Sequence, residues 1–315
     1  MSEPIYVAGC AYGVGRPHPI ESLLREGILS LETLEDCRDR GITTFCAGGD
    51  SIAQMRTTVT ARALASAGLS AEAIDCVVVA DATADAMADV PVELSEARVV
   101  LQAQDCAAFC AGIEAAAAQI ATGSAQNVLL LLTGQVPREQ GRYNPELGTI
   151  FGDGAAACIV SSRPRGFVVI AAESWRESNL PRVSPATQPT GEQMLRDFQK
   201  LQNLLRLSYE SAAISPAAIT ALCGTHGSRI YLELMAEAAE LPYERVYGDA
   251  MQEFGHVFAC DNLIALAHYL EKHPGSERER IFCLVGWSPR AAGVVLLAEL
   301  AYATTGNAHQ HIRSP

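Results

Sequence analysis

A short stretch decides the fold: residues 105–113 read DCAAFCAGI. The apolar segment before it, 97–103, predicts a buried strand, and the alanine-rich segment after it, 113–120, predicts a helix. Cys110 stands at this junction, where unpaired backbone N–H groups and the helix dipole favour a thiolate. Because thiolates attack carbonyl carbons, we expect Cys110 to accept acyl groups, with Cys106 as the next candidate. The alternative is that Cys110 is simply packed as a small hydrophobic residue.

The composition of the chain restricts its function and location. It has 315 residues, of which 49% are hydrophobic and 19% charged, so a sizeable core is expected. The net charge of -13 argues against nucleic acid as a partner. No apolar segment is long enough to cross a bilayer, and we expect no membrane insertion. The start of the chain lacks a secretory signal pattern, and the ten scattered cysteines lack a Cys-x-x-Cys pair. We therefore expect a reduced, cytoplasmic protein without a metal site.

Short β-branched runs alternate with helical patterns along the chain, which is typical of an α/β protein. Strands are predicted at 5–8, 74–80, 98–103, 127–133, 155–160, 167–171, 219–223, 245–247, 280–285 and 294–297. Helices are predicted at 51–67, 192–213, 228–239 and 257–271.

The pattern of elements repeats, which predicts two pseudo-symmetric halves, residues 1–162 and 163–315. The first half contains the cysteine and the second contains the histidines discussed below. The matched elements place Cys110 and His256 each at the start of the helix after the third strand of its half. A pseudo-two-fold arrangement would bring these helix starts together near the centre, so a thiol and an imidazole are expected to meet there.

Four motifs together resemble a known family. They are FCAG at 109–112, FGDGAA at 151–156, GTHGS at 224–228 and GHVFACD at 255–261. With these motifs the chain resembles the β-ketoacyl-ACP synthase III family of the thiolase superfamily, from the first strand to Leu300. The resemblance implies a thiolase-like five-layer α-β-α-β-α fold, an acyltransferase activity and a homodimer.

The resemblance also implies roles for site residues. Cys110 matches the acyl-carrying nucleophile, and His226 matches the first catalytic histidine. The position of His256 is usually asparagine in this family, and the change gives a Cys-His-His set like that of the chain-elongating ketoacyl synthases. Decarboxylative condensation needs two hydrogen-bond donors aimed at the thioester oxygen where enolate charge develops, and a neutral imidazole N–H can serve as one.

Other features of the family are altered in this chain. The oxyanion hole is expected from the amides of Cys110 and Ser288, although Pro289 beside Ser288 has no N–H. Asp261 follows His256 as in a branch of the family that transfers acyl groups to oxygen or nitrogen, where a carboxylate orients a basic histidine. The spacing of the two residues does not put Asp261 beside His256 on one helical face, so a catalytic role for Asp261 is left open.

The adenine clamp of the family is replaced by acidic residues. By position, Glu35 and Asp39 stand where the family has a tryptophan and an arginine that hold coenzyme A. We therefore expect a phosphopantetheine-linked acyl substrate on an acyl carrier protein rather than free acyl-CoA, and no tightly bound cofactor. Docking of the carrier is assigned to Arg38, Arg40 and Arg229.

The predicted function is loading of an acyl group on Cys110, followed by condensation with a malonyl-type extender in a specialised lipid or secondary-metabolite pathway. One alternative is O- or N-acyl transfer on the same fold without decarboxylation. Another is a non-catalytic partner subunit of a ketosynthase heterodimer, although such subunits typically lose the nucleophile.

Overall fold

A nine-stranded sheet forms the centre of the protein, which we describe from a computed structural model. The structure describes residues 3–81, 91, 94, 97–102, 106–136, 141–145, 148–177, 191–274, 279–288 and 291–300. Parts of the predicted elements lie outside these residues, among them Ala103, Asp105, Pro289 and the chain after Leu300.

The strands and helices follow each other in mixed order. The strands are β1 (Tyr6–Val14), β2 (Arg16–Pro19), β3 (Thr44–Ala47), β4 (Cys76–Asp81), β5 (Arg98–Gln102), β6 (Asn127–Gly134), β7 (Tyr143–Asn144), β8 (Thr149–Ile150), β9 (Gly154–Ser161), β10 (Phe167–Arg176), β11 (Ala221–Gly224), β12 (Ile281–Ser288) and β13 (Ala291–Glu299). The helices are α1 (Glu21–Arg25), α2 (Leu31–Asp39), α3 (Ile52–Ala67), α4 (Ala108–Ala121), α5 (Gly191–Ala212), α6 (Arg229–Ala238), α7 (Asp249–Phe254) and α8 (Asp261–Lys272).

The two sides of the sheet are built in the same way. The strand order is β11-β12-β13-β10-β1-β9-β6-β4-β5, with β1 and β10 at the centre. The antiparallel pair β12 and β13 lies next to β10, and the antiparallel pair β6 and β9 lies next to β1. Strand β4 is parallel to β6, and β11 is correspondingly parallel to β12. Ser161 ends β9 and Phe167 begins β10, so the predicted boundary between residues 162 and 163 falls in the connection. The division into two domains itself stays a prediction.

Among the described residues of the second half, β5 has no counterpart. A strand was expected at 245–247, but the chain forms a 3₁₀ turn at Tyr243–Arg245 and pairs with β11 only through a bridge between Val246 and Leu222. Helix α7 begins at Asp249, which leaves too little extended chain for a strand. The prediction at 245–247 is wrong for this reason.

Helices pack on both faces of the sheet. Helices α4 and α8 lie in the middle layer, whereas α3, α5 and α6 lie in the outer layers. Side chains of β6 alternate between the two faces, so that Leu130 packs with α4 and α8 while Leu129 packs with α3. In β12, Leu284 likewise joins the central cluster, and Cys283 packs on the other face with α5 and α6. In order, the layers are α3, the strands of the first half, α4 with α8, the strands of the second half, and α5 with α6. The predicted five-layer α/β fold is confirmed.

Local signals explain why most predicted helices formed close to their expected ends. Ser51 caps α3 through a capping box with Gln54, and Gly68 ends this helix in the left-handed conformation at φ 64°. Helix α4 is the exception, because it begins at Ala108 rather than at residue 113. Alanine favours helix, so Ala108 and Ala111 help to extend α4 toward its N-terminus. Among the residues described, no helix has the length and apolar character needed to cross a membrane.

Candidate active site

The thiol of Cys106 lies at the N-terminal end of α4. Ala107 occupies the N-cap position of this helix, and Cys106 precedes it. Cys106 is 8% exposed, and its Sγ lies 3.6 Å from Nε2 of His256. This position gives a thiolate on Cys106 both the field of a helix N-terminus and a neighbouring imidazole.

His256 is held by backbone pairing and not by a helix. Its N–H donates to the carbonyl of Ile150 at 2.9 Å, and its carbonyl accepts from the N–H of Gly152 at 2.8 Å. A 3₁₀ turn, Phe258–Cys260, separates it from the first residue of α8. The expectation that His256 begins a helix is therefore wrong, and the FGDG segment fixes the position of the ring instead.

The carboxylate of Asp261 connects the two histidines of the site. Its Oδ2 lies 2.5 Å from Nδ1 of His256 and accepts from the N–H of His226 at 2.7 Å. Its Oδ1 accepts from the N–H of Val257 at 2.7 Å and lies 3.2 Å from Nδ1 of His226. Asp261 is fully buried. The helical-face argument failed because His256 is outside α8, and the intervening turn folds it back over the start of that helix.

The electrostatics of the site favour a proton on His256. Burial opposes this proton, but the Asp261 carboxylate and then Cys106 outweigh burial and raise the pKa of His256 to about 10. Burial likewise favours a neutral Asp261, yet His226 and His256 outweigh it and lower the pKa of this carboxyl. The arrangement places a charged imidazole between the Asp261 carboxylate and the sulfur of Cys106, and a neighbouring histidine of this kind can activate a cysteine nucleophile.

His226 differs from His256 in charge and in contacts. It follows β11 and is fully buried, and its carbonyl accepts from the hydroxyl of Thr149 at 3.2 Å. Its Nδ1 lies 3.1 Å from the carbonyl oxygen of Gly255. Burial lowers the pKa of His226 by more than Asp261 and Gly255 raise it. His226 is therefore neutral while His256 is charged.

Aromatic rings and close backbone contacts surround the thiol and the imidazole. The rings of Phe151 and Phe258 stack with centroids 4.7 Å apart. Their centroids lie 5.5 Å and 5.4 Å, respectively, from the centroid of the His256 ring. Gly286 of β12 packs directly on the backbone of Cys106, so that a Cβ added there would overlap the Cys106 carbonyl and lie 2.8 Å from Cα of Ala107. The site thus requires a glycine at 286.

The structure places Cys110 away from the histidines and against the sheet. This residue lies within the first turn of α4, and its Sγ contacts the carbonyl oxygens of Glu173 at 3.3 Å and Val294 at 3.6 Å. Burial and then the Glu114 carboxylate raise its pKa well above the ordinary value, which disfavours a thiolate. The contacts of Cys110 are those of a packed thiol, and Cys106 is the cysteine that meets the imidazole, so the structure does not bring the expected nucleophile to the histidines. Which of the two thiols carries the acyl group stays a prediction.

The predicted oxyanion hole changes with the nucleophile. If Cys106 is the nucleophile, the first amide of the hole is the one at Cys106, just before α4, and not the one at Cys110. Ser288 ends β12, is buried, and has a hydroxyl without a hydrogen-bond partner among the residues described. A role for its amide stays a prediction. Pro289, which follows Ser288, lies outside the described residues.

The three arginines assigned to carrier docking lie on neighbouring elements. Arg40 follows α2 and Arg229 begins α6, and the Arg229 N–H donates to the Arg40 carbonyl at 3.0 Å. Each guanidinium already pairs with a carboxylate, in the pairs Arg38–Glu21 at 2.6 Å, Arg40–Asp36 at 2.9 Å and Arg229–Glu233 at 2.9 Å. Docking at these residues therefore requires exchange of exposed ion pairs, which contribute little individually. Glu35 and Asp39 are exposed on α2.

No group of three or more His, Cys, Asp or Glu side chains within the described part of the chain is arranged to bind a metal ion. The site offers the side chains of Cys106, His226, His256 and Asp261. These four groups provide a thiol, one charged and one neutral imidazole and an orienting carboxylate, which is the kind of set that acyl transfer through a cysteine uses.

Comparison with known proteins indicates the class of the protein. A family model described as 3-oxoacyl-[acyl-carrier-protein (ACP)] synthase III matches residues 102–175, which include Cys106, Cys110 and the FGDG segment. The chain is 22% identical to the β-ketoacyl-[acyl-carrier-protein] synthase III of Chlamydia caviae, over 89% of this chain and 95% of that protein. This protein is β-ketoacyl-ACP synthase III-like. The matches confirm the predicted class of enzyme, an acyl-transferring one.

Two solved structures extend the likeness of this ketosynthase III-like protein to the whole fold. The acyltransferase ChlB3 superposes with a TM-score of 0.80 at 18% identity, covering 94% of this chain and 98% of ChlB3. The 3-oxoacyl-[acyl-carrier-protein] synthase III of Aquifex aeolicus superposes with a TM-score of 0.74 at 19% identity, covering 93% and 99%. The thiolase-like fold is confirmed by these superpositions.

Proposed function

We propose that the protein transfers an acyl group from a phosphopantetheine thioester to a second substrate through a thioester on Cys106. The contact that supports this most directly is the 3.6 Å approach of the Cys106 thiol to His256, whose other ring nitrogen lies 2.5 Å from Asp261. The assembled set favours an active enzyme over a non-catalytic partner subunit, because a subunit without catalysis has no need of an activated thiol.

Loading follows from the charges of these three residues. The Cys106 thiolate attacks the carbonyl carbon of the donor thioester, so a new carbon–sulfur bond forms while the bond to the pantetheine sulfur breaks. The departing sulfur takes the proton from Nε2 of His256. Asp261 keeps the other ring nitrogen protonated and stabilises the imidazolium before the step. The amide at the start of α4 is placed to stabilise the oxyanion.

The source of the acyl group is proposed to be an acyl carrier protein. Exposed Glu35 and Asp39 on α2 would repel the phosphates of coenzyme A. Arg40 and Arg229 are neighbours through the bond between the Arg229 N–H and the Arg40 carbonyl, and their side chains are proposed to meet an acidic carrier. Assembly as a homodimer stays a prediction.

Two second half-reactions are consistent with a loaded Cys106. Condensation with a malonyl-type extender is favoured by the relatives named β-ketoacyl-[acyl-carrier-protein] synthase III, because such a step would form a β-ketoacyl product. Transfer to oxygen or nitrogen is favoured by the buried Asp261 carboxylate, because it can stabilise the positive charge on a histidine of this site that takes a proton from the acceptor. The two candidates share the loading step, and that step is tested first.

The test of the proposed function is the intact mass of the protein after incubation with a panel of acyl thioesters on coenzyme A and on a carrier protein. Wild-type protein and Cys110→Ala should gain the acyl mass, whereas Cys106→Ala should gain none. The Cys110 variant is the matched control, since both changes remove one thiol from the same segment. An adduct on Cys106→Ala, or its loss in Cys110→Ala with the fold intact, would overturn the assignment.

A further inference from the structure

The hydrogen bonds of His226 decide which of its ring nitrogens carries a proton. Nδ1 lies 3.1 Å from the Gly255 carbonyl oxygen and 3.2 Å from Oδ1 of Asp261. A carbonyl oxygen and an ionised carboxylate both accept hydrogen bonds and donate none. Nδ1 must therefore be the protonated nitrogen, because an unprotonated Nδ1 would face two acceptors.

The second nitrogen of the same ring is left with a free lone pair. His226 is neutral, so it has one ring proton, and Nδ1 holds it. Nε2 is buried and has no hydrogen-bond partner among the described residues. A buried polar atom without a partner is costly and marks a place where a ligand completes the bonding. The partner that fits this Nε2 is a hydrogen-bond donor.

A second proton on His226 is disfavoured by the shared carboxylate. Asp261 already neutralises the positive charge of His256, at 2.5 Å. An imidazolium at His226 would add a second positive charge against one negative charge in a fully buried cluster. While His256 is charged, Nε2 of His226 therefore keeps its lone pair and has no proton to donate. It can take a proton once His256 has given up its own in the loading step.

This character conflicts with decarboxylative condensation. That reaction needs N–H donors aimed at the thioester oxygen of the extender, where negative charge develops. In the tautomer fixed by Gly255 and Asp261, His226 presents a lone pair to such an oxygen, and the two would repel. The same lone pair suits an acceptor that arrives with an O–H or N–H group.

We propose that Nε2 of His226 takes the proton of the second substrate, and that this substrate is an alcohol or an amine. The inference rests on the proposed function, because it needs an acyl group on Cys106. The acceptor oxygen or nitrogen attacks the acyl carbon and forms an ester or amide bond while its proton passes to Nε2. The bond from the acyl carbon to the Cys106 sulfur breaks, the sulfur leaves as thiolate, and no carbon dioxide is released.

The experiment uses wild-type protein loaded with an acyl group and freed of excess donor. Its discharge is followed by intact mass in water, with n-butanol, with benzylamine, and with malonyl-CoA labelled in its free carboxyl group. His226→Ala and His226→Gln are compared on their loaded fraction only, so any effect on loading drops out. The Gln variant matters because its amide can donate near the position of Nε2 but cannot act as a base. His268→Gln is the matched control, a buried histidine bonded to Tyr247 at 3.0 Å outside the site.

The expected result is discharge by the protic acceptors without labelled carbon dioxide. Both His226 variants should slow it by about a hundredfold or more, the range for a lost general base, and the Gln variant should show no rescue. The proposal is overturned by release of labelled carbon dioxide with a condensed product, or by Gln keeping the wild-type rate. It is also overturned if loaded wild-type protein discharges no faster than a free thioester of the same acyl group. Failure to load at all refutes the proposed function instead.

Discussion

Helices α4 and α8 occupy the same central layer, but their N-terminal ends differ in charge. The first turn of α4 has no acidic residue, whereas α8 begins with the carboxylate of Asp261. Both positions attract negative charge through the helix dipole. At α4 the helix dipole is available to stabilise negative charge that would form during the proposed reaction, on Cys106 or on an oxyanion. At α8 the dipole stabilises the permanent charge of Asp261, and this carboxylate polarises the two histidines.

The largest effect that would test this difference is expected from Asp261→Asn. The amide removes the charge that keeps His256 protonated, so the burial of the ring should dominate and the pKa of His256 should fall. We expect acyl loading of Cys106 to slow by about 10²–10⁴-fold at neutral pH, as for a lost proton-transfer partner. Stopped-flow or quenched loading kinetics would measure it.

The control for that variant is Asp153→Asn. Asp153 is also a buried carboxylate, and it accepts the N–H groups of Gly48 and Val136 and an ion pair from Arg142. It bonds neither histidine in the hydrogen bonds described. A similar loss of loading in both variants would mean that structural damage, and not the charge on His256, caused the effect.

A pair of glycine substitutions compares the surroundings of Cys106, which precedes α4, with those of Cys110, which lies in the first turn of this helix. A methyl group at Gly286 would overlap the Cys106 carbonyl, and one at Gly293 would overlap Cβ of Cys110. Both Gly→Ala variants should be destabilised by about 1–3 kcal/mol, as is typical of overpacking. Only Gly286→Ala should slow loading per folded molecule, by roughly tenfold or more, because it displaces the nucleophile. Urea unfolding and loading kinetics on the same samples separate the two effects, and an equal loss of loading in both would count against Cys106.

The ion pair between Asp261, at the start of α8, and His256 should make the free energy of unfolding depend on pH. The pKa of His256 is raised to about 10 in the fold from about 6.5 in an unfolded chain. Its contribution to the free energy of unfolding is therefore complete below about pH 6.5 and is lost as pH rises through 10. Urea unfolding of wild-type protein should show this decline, and Asp261→Asn should show less of it. Parallel curves for the two proteins would refute the ion pair.

The smallest effect is expected at the docking surface, far from either helix start. Arg229→Glu should weaken loading from a carrier protein by a few-fold at low salt and by little at high salt. Arg206→Glu is a matched control, because Arg206 is equally exposed and also pairs with a glutamate one helical turn later. If the two variants lose loading equally, general charge repulsion is responsible and Arg229 has no specific role.

The sequence predicted the architecture well because the buried strands have continuous apolar runs with clear ends. Strand β6 was expected at 127–133 and runs Asn127–Gly134. The elements that were missed are short, such as β2, β3 and α7, and their residues have no strong periodicity. Long strands that are buried on both faces of the sheet could therefore be predicted, whereas short elements could not.

The site was harder to predict because its residues lie just outside the helices. The first turn of α4 reaches back to Ala108, which moves Cys110 from the helix mouth into the packed layer and puts Cys106 in its place. At α8 the turn before Asp261 includes Phe258 at φ 54°, a conformation that no helical pattern reveals. Helix boundaries are the least certain feature of a sequence prediction, and both corrections depend on a boundary.

One carboxylate shared by two imidazoles also sets an order of events. While Cys106 is free, the positive charge on His256 occupies Asp261, and a proton arriving at His226 would create an unbalanced second charge. In the proposed loading step the departing pantetheine sulfur takes the proton from His256, and the negative charge of Asp261 then becomes available to His226. Under this proposal Asp261 sets the sequence of the two half-reactions, since an alcohol or amine would be deprotonated only after an acyl group is in place to receive it.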